Sequence, residues 1–376
     1  MSERLAAVLS GIADAEIARV AAAAIGIAGA ALAGPPDVHD LISPHNDRRT
    51  LAIKRFSGIA SAEGSKRRWS AVCKIVDLDV APGSVSTWVR PENEQAVYQE
   101  EYFVNDSLRF RPARCYHTSI PLPGIAVLWL EDLTTAKGPP FTPADLAQML
   151  RHLGEWNGFH AARAPSLRFK LGEDSVYTRW AAWNYDADLA DFRSMRHRPE
   201  VRAMYGDRSI EIVFELRDLL LQINQRARTH PHALCFGDCN IGNLFLRRDE
   251  TVAVDWASLT SDPLGADAGC LLGSAITWGR RFGEVAENER DLFRHYFDGL
   301  LASGWRGNAD DVRRGHLVHF GFYLLIMAMI PASLKKYPRE QVELRSGARW
   351  DELPLLAADI VNVLPSYLRE MGRLLS

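Results

Sequence analysis

The stretch from residue 233 to residue 256, ALCFGDCNIGNLFLRRDETVAVDW, limits what this chain can fold into more than any other. Two short β-forming runs flank the polar turn RRDE, and oxygen-bearing side chains fall just outside those runs. Leu244–Leu246 and Val252–Val254 read as antiparallel, with Asn243 and Asp255 each six positions from Asp249 at the turn. A regular register then predicts that these two side chains face each other across the open end of the hairpin, with Cα atoms roughly 5 Å apart. Just upstream, Asp238 lies in Gly237-Asp238-Cys239-Asn240-Ile241-Gly242-Asn243, and the two glycines are expected to turn the backbone so that Asp238 comes back toward the pair. A lone Asp five residues before an Asn is ordinary turn chemistry. Its conjunction with an Asp-Trp twelve residues further on, at the end of an apolar strand, fits phosphoryl transfer: one Asp orients a hydroxyl, and an amide oxygen and a carboxylate hold Mg²⁺.

The rest of the chain is organised in two parts. Its 376 residues exceed one ordinary domain, and a hydrophobic share of 47% with a charged share of 24% marks a globular protein. Forty-four Lys and Arg against 47 Asp and Glu leave a net charge of -3, which provides no overall field to hold a nucleic acid. Five scattered cysteines (Cys73, Cys115, Cys235, Cys239, Cys270) read as reduced thiols of a cytoplasmic protein. Val20 to Gly34 is unbroken apolar residue or glycine, yet its 15 residues fall short of a bilayer span, and the mixed charges before it do not resemble a secretory leader. An Ala-rich packed helix is expected there, and a buried helix over Phe320–Ile330. Residues 51–61 and 68–80 predict a hairpin, a helix follows Pro91 from Glu92 to about Phe103, and ARCYHTSI and GIAVLWLEDL predict two more strands. From Phe141 the period becomes helical, with Thr142 and Asp145 forming a capping-box-like start. The break LTTAKGPP divides an N-terminal lobe, 1–135, from a C-terminal lobe, 136–376.

With these residues in place, LCFGDCNIGNLFLRRDETVAVDWASLTSDPLGAD resembles the catalytic segment of the aminoglycoside phosphotransferase superfamily, small-molecule kinases of the protein-kinase-like fold. SAVCKIV resembles that family's nucleotide-lysine strand, RCYH and LWLEDL the strands leading to its hinge, and RHLGEWNG its first long C-lobe helix. The resemblance implies an α+β, bilobal chain with an antiparallel-sheet N-lobe and a mostly helical C-lobe. It also implies ATP, with GTP as the alternative, together with Mg²⁺ and a small-molecule hydroxyl acceptor. Asp238 matches the residue that accepts the hydroxyl proton, Asn243 and Asp255 the metal ligands, and Lys74 the lysine on the α/β-phosphates. Glu94 is the expected partner of Lys74, with Glu92, Glu100 and Glu101 on the same predicted helix. Glu131 and Leu133 fall at the hinge, where they contribute backbone groups. The phosphate-covering loop is expected in FSGIASAEGSKRRW, with Ser61 and Ser65 as donors; an ordinary solvated turn is the plainer explanation of the same residues.

Phe236 departs from the family, which usually has His two positions before the catalytic Asp. An aromatic ring of similar shape is expected to hold the loop by packing, and the alternative reading is a nucleotide-binding pseudokinase or scaffold. A sugar or amino-alcohol metabolite is the alternative to an antibiotic acceptor. Cys235, Cys239 and His232 read as small buried residues more simply than as a zinc site, and His316 and His319 as helix-face histidines. Acidic and aromatic residues alternate from Glu173 to Asp191, a composition that suits either a cationic acceptor or a solvated helix with a core-facing aromatic stripe.

Overall fold

The computed structural model describes residues 3–41, 49–62, 64–79, 90–100, 108–162, 171, 190, 192–195, 197–279, 282–328, 338–340, 343 and 349–376. The chain separates into two compact units: residues 1–105, 111–137 and 167–170 in one, residues 106–110, 138–166 and 171–376 in the other. The acidic and aromatic stretch of 173–189 and Asp191 lie outside the described residues.

Unit 1 is built on one antiparallel sheet. Its strands are β1 (Ala31–Leu32), β2 (Asp37–Asp40), β3 (Thr50–Ala62), β4 (Ser65–Asp77), β6 (Cys115–Leu122) and β7 (Ile125–Glu131), with β5 (Phe110–Pro112) short and apart from it. The order is β1-β3-β4-β7-β6, and β2 also pairs with β3. Side chains alternate along β4, so Trp69, Ala71, Cys73 and Ile75, each no more than 4% exposed, point to one face while Lys74 points to the other. Phe56 and Ala60 of β3 join the apolar face, and Phe56 meets Trp129 of β7 edge-on at 4.8 Å. β7 is buried along its whole length, six apolar residues followed by the paired acid Glu131.

The Ala-rich leader covers the apolar face. It forms α1 (Glu3–Gly11) and α2 (Asp14–Ile25), and Val8, Ile17, Val20 and Ala21 are buried against Trp69, Cys73, Ile75 and Trp129. Each such Val or Ile adds about 1.5–3 kcal/mol of burial energy. Glu16 fixes the docking, accepting from Trp129 Nε1 at 2.7 Å. The long apolar run is therefore not one helix: α2 ends at Ile25, Gly26 caps it in the left-handed conformation (φ 71°), and the chain continues into β1. Among the described residues no helix is long and apolar enough to cross a membrane. α3 (Pro91–Gln99) completes the unit.

Unit 2 is mostly helical. Its helices are α4 (Pro143–Ala162), α5 (Pro199–Ala227), α6 (Ala266–Gly279), α7 (Phe282–Ala302), α8 (Ala309–Ala328) and α9 (Leu353–Leu375). The N-terminus of α4 carries the reciprocal cap read in the sequence: Thr142 N–H donates to Asp145 Oδ2 at 2.7 Å and Asp145 N–H to Thr142 Oγ1 at 3.2 Å. Two antiparallel pairs, β8 (His232–Cys235) with β11 (Thr260–Pro263) and β9 (Leu244–Arg247) with β10 (Glu250–Ala253), frame the loop that carries Asp238.

Candidate active site

In unit 1, the cation that sequence analysis selects is held by one acid. Lys74 Nζ donates to Glu94 Oε1 at 2.9 Å and Oε2 at 2.8 Å, and the two residues are 8% and 1% exposed. Pro91 starts α3 and brings Glu94 into its first turn, whereas Glu92 is exposed and Glu101 lies outside the described residues. At the end of β7, Glu131 is a structural acid. Glu131 accepts from Arg111 Nη1 at 3.1 Å and from the Arg114 N–H at 2.9 Å, and its own N–H donates to Arg114 O at 2.8 Å. Leu133 O accepts the Ala136 N–H at 2.9 Å.

Ser61 is not brought to Lys74. In the β3–β4 register Ser61 pairs with Lys66, eight residues along β4 from Lys74, or roughly 26 Å at strand rise. Ser65 and Gly64 sit at the same distal turn. The connection adjoining Lys74 is instead the one from β2 to β3: Leu41 N–H donates to Ile53 O at 2.9 Å, Asp77 N–H donates to Arg49 O at 2.7 Å, and Ile53 is the register partner of Lys74. Counting the predicted hairpin as the first two strands misplaced this loop, because β1 and β2 precede it. Residues 42–48 of the connection lie outside the described residues.

In unit 2, the loop after β8 is fastened through its backbone. Phe236 N–H and Gly237 N–H donate to Asp267 Oδ2 and Oδ1 at 2.8 and 2.9 Å, and Ile241 N–H donates to Ser274 Oγ at 3.0 Å. Asp267 and Ser274 are seven residues apart on α6, so two turns of one helix face hold the loop at both ends. Asn157 of α4 donates to Asp267 Oδ2 at 3.2 Å and Leu234 O at 2.9 Å, and accepts from Tyr296 Oη at 3.0 Å. Burial pushes the Asp267 carboxyl up from its ordinary range, and the Gly237, Asn157 and Phe236 donors oppose that rise. Asp267 is the last residue of the family-like segment that begins at Leu234, and no role attaches to it there. The available signal is that this Asp is the one charged residue in the helix ADAGCLLGSAITWG.

Within the loop, Asn243 Nδ2 donates to Asp238 Oδ2 at 3.0 Å and to Asp238 O at 3.2 Å. This leaves the amide oxygen of Asn243 as its acceptor. The glycines differ from expectation: Gly237 has φ 85° and a Cβ there would lie 2.1 Å from Ser258 O, whereas Gly242 has no such constraint. The hairpin register also differs by one. Glu250 pairs with Arg247 and Ala253 with Leu244, so the turn is the two residues Arg248–Asp249, and Asn243 O accepts from Val254 N–H at 3.0 Å. Asp255 stands one position past that partner, in the left-handed region at φ 66°. A non-glycine residue held there costs of order 1–3 kcal/mol and clusters at functional sites.

Phe236 is fully buried, 4.7 Å from Trp256 and 6.1 Å from Phe110, in a group of rings completed by Trp156. The loop is thus packed where the family's imidazole usually stands. Burial keeps the Cys235 and Cys239 thiols well above their ordinary range, and among the described residues no three His, Cys, Asp or Glu side chains group as metal ligands. An amide oxygen and a carboxylate from Asn243 and Asp255 do fit Mg²⁺, which needs only one or two protein carboxylates beside phosphate and water. His316 and His319 are buried rather than on an open helix face; His316 Nε2 lies 2.7 Å from Glu289 Oε1, beside Arg313.

Comparison with known proteins bears on this geometry. Residues 121–307, which include Asp238, Asn243, Asp255 and Asp267, match the family described as "Phosphotransferase enzyme family". Over these residues, about half of its length, the chain is similar to the phosphotransferase enzyme family. That places it among enzymes of the small-molecule kinase class. Among solved structures, an aminoglycoside phosphotransferase from Alicyclobacillus acidocaldarius is 15% identical, with 89% of this chain and 92% of that chain covered and a TM-score of 0.53. At that identity the shared property is the fold, the protein-kinase-like one. A choline/ethanolamine kinase family protein from Mesorhizobium loti (16% identity, 94% and 100% covered, TM-score 0.43) and an amicoumacin kinase in complex with AMP-PNP (14%, 88% and 88%, 0.47) are also similar. No curated protein matches the sequence.

Proposed function

We propose that this enzyme moves the γ-phosphate of ATP to a hydroxyl group of a small molecule, with Mg²⁺ as cofactor. The observation that carries the reading is the Asp238–Asn243 hydrogen bond at 3.0 Å on a loop fastened to α6, within the segment that matches the family. Asp238 accepts the proton of the acceptor hydroxyl and aligns its oxygen. Asn243 holds that carboxylate through its Nδ2 and, with Asp255, presents oxygen to the metal. Bound Mg²⁺ supplies neutralisation of phosphate charge. Lys74, steadied by Glu94, orients phosphate oxygens, and backbone groups of the hinge from Glu131 to Leu133 receive the base. Such catalysis is positioning and electrostatics, which is why each functional group here is itself held by a partner.

The packed environment of Phe236 favours a working loop over a pseudokinase, because the ring substitutes for a hydrogen-bonded scaffold without leaving a gap. The acceptor is read as an aminoglycoside-like or other antibiotic, with a sugar or amino alcohol as the alternative, and the setting as the cytoplasm. Phosphate transfer from Mg-ATP to a panel of these hydroxyl compounds tests the reading. Asp238→Ala is expected to lower turnover about 10²–10⁴-fold while ATP affinity changes little. Undiminished turnover in that variant would sink the assignment.

A further inference from the structure

β7 ends in Glu131 and Asp132 follows it directly, and an arginine from a different place in unit 1 fastens each. Glu131, 3% exposed, receives Arg111 and the Arg114 backbone as described. The Asp132 carboxylate, whose side chain is 5% exposed, accepts from Arg55 Nε at 2.6 Å and from the Thr134 N–H at 2.9 Å. Burial alone would push the Asp132 carboxyl up, but the Thr134 and Arg55 donors outweigh it and hold the group below its ordinary value.

Arg55 sits on the working face of the sheet. In the register Arg55 pairs with Val72 and Val72 with Leu130, while Lys74 pairs with Ile53 and Leu128. Directly opposed residues share a face, so Arg55 and Lys74 lie on the same one, in neighbouring cross-strand pairs. Stability alone does not call for this arrangement, since the Arg55 side chain is 34% exposed and pairs open to water on one side contribute only about 0–1 kcal/mol. What two opposed clamps do achieve is to remove the freedom of the backbone as it leaves the strand.

We infer that Arg55 is a positioning residue for the nucleobase: by holding the Asp132 carboxylate it fixes the Asp132–Leu133 backbone, as Arg111 fixes the preceding residue through Glu131. This rests on the nucleotide reading given above. A planar base is recognised by backbone donors and acceptors at set positions, and groups held in advance lose less entropy on binding than groups that must be ordered. The phosphates, handled by Lys74, do not depend on this clamp.

Titration calorimetry on the full chain with ATP, GTP and inorganic triphosphate, each with Mg²⁺, separates the two. Arg55→Gln is expected to weaken ATP about tenfold and to bring the ATP and GTP constants toward each other, with triphosphate changed less than about twofold. Arg55→Gln combined with Asp132→Asn is expected to be no worse than either alone, since both break one contact. If Arg55→Gln does not fold, Arg55→Lys, which keeps the charge but loses the fork, is expected to show a selective ATP loss of about two- to fivefold. Equal losses for ATP and triphosphate, or an unchanged ATP constant, overturn the inference while leaving the phosphotransferase reading intact. A wild-type chain that binds none of the three overturns that reading and this one with it.

Discussion

The two units hold their functional groups by different means. In unit 1, Lys74 lies on a thirteen-residue strand, and its direction follows from strand alternation once Trp69, Ala71, Cys73 and Ile75 are buried on the other face. One acid, Glu94, completes the placement. In unit 2, Asp238 lies on a loop that is neither strand nor α-helix, with one 3₁₀ turn at Ile241–Asn243, and its backbone is held by residues distant in sequence: Asp267 for Phe236 and Gly237, Ser274 for Ile241. A strand carries its own positional information, whereas a loop must borrow it. Loss of a borrowed contact should therefore disturb unit 2 more than loss of the ion pair disturbs unit 1.

The largest effect is expected for Asp267→Ala. It leaves the Phe236 and Gly237 N–H groups without their acceptor in a site that is 1% exposed. Two unsatisfied buried donors cost about 2–6 kcal/mol, enough to lower the melting temperature sharply and to release Asp238 from its alignment. Ser274→Ala removes one donor's partner and is expected to cost about 1–3 kcal/mol. Calorimetric melting beside a phosphate-transfer assay checks both. An Asp267→Ala protein with unchanged melting and turnover breaks the idea that α6 positions the loop.

A smaller effect sharpens the same contrast within the loop. Gly237→Ala forces a side chain into φ 85° and against Ser258 O, at an expected cost of about 1–3 kcal/mol from the backbone conformation alone. Gly242→Ala meets only Asn240 Oδ1, at 3.5 Å, and should stay within about 0.5 kcal/mol of the parent. Denaturant midpoints of the two variants measure the difference directly.

The same division explains what could be read from the sequence. The longer strands of unit 1 (β3, β4, β6 and β7), the side of β4 that carries Lys74 and the cap at Thr142 all follow from local period and local chemistry. Asp238, Asn243 and Asp255 stand out as candidates because they fall within eighteen residues around one hairpin. Their register was not legible: Arg248 at φ 58° makes a two-residue turn, and that single backbone choice moves every pair by one. Asp267 and Asn157 were missed because they act on the loop from 30 and 77 positions away, through bonds to backbone that no motif records. The connection adjoining Lys74 was not legible for another reason. β1 and β2 are too short, at two and four residues, to announce themselves by alternation, so the sheet appeared to begin one hairpin late.

Loss of stability is expected to be least for the ion pair of unit 1. Lys74→Met together with Glu94→Leu replaces two buried charges by apolar side chains of similar volume, at 8% and 1% exposure. The desolvation cost of both charges disappears with their attraction, and such exchanges are commonly neutral or stabilising by about 1–4 kcal/mol. Either single variant leaves a buried charge unpaired and is expected to be less stable than the double. The double variant should therefore melt at or above the parent temperature and retain the hydrogen-exchange protection of β3 and β4, while nucleotide binding is lost. A double variant that melts well below the parent would show that the sheet depends on this pair for its structure. Strand register alone would then not suffice to hold Lys74, and the distinction between the two units would fail.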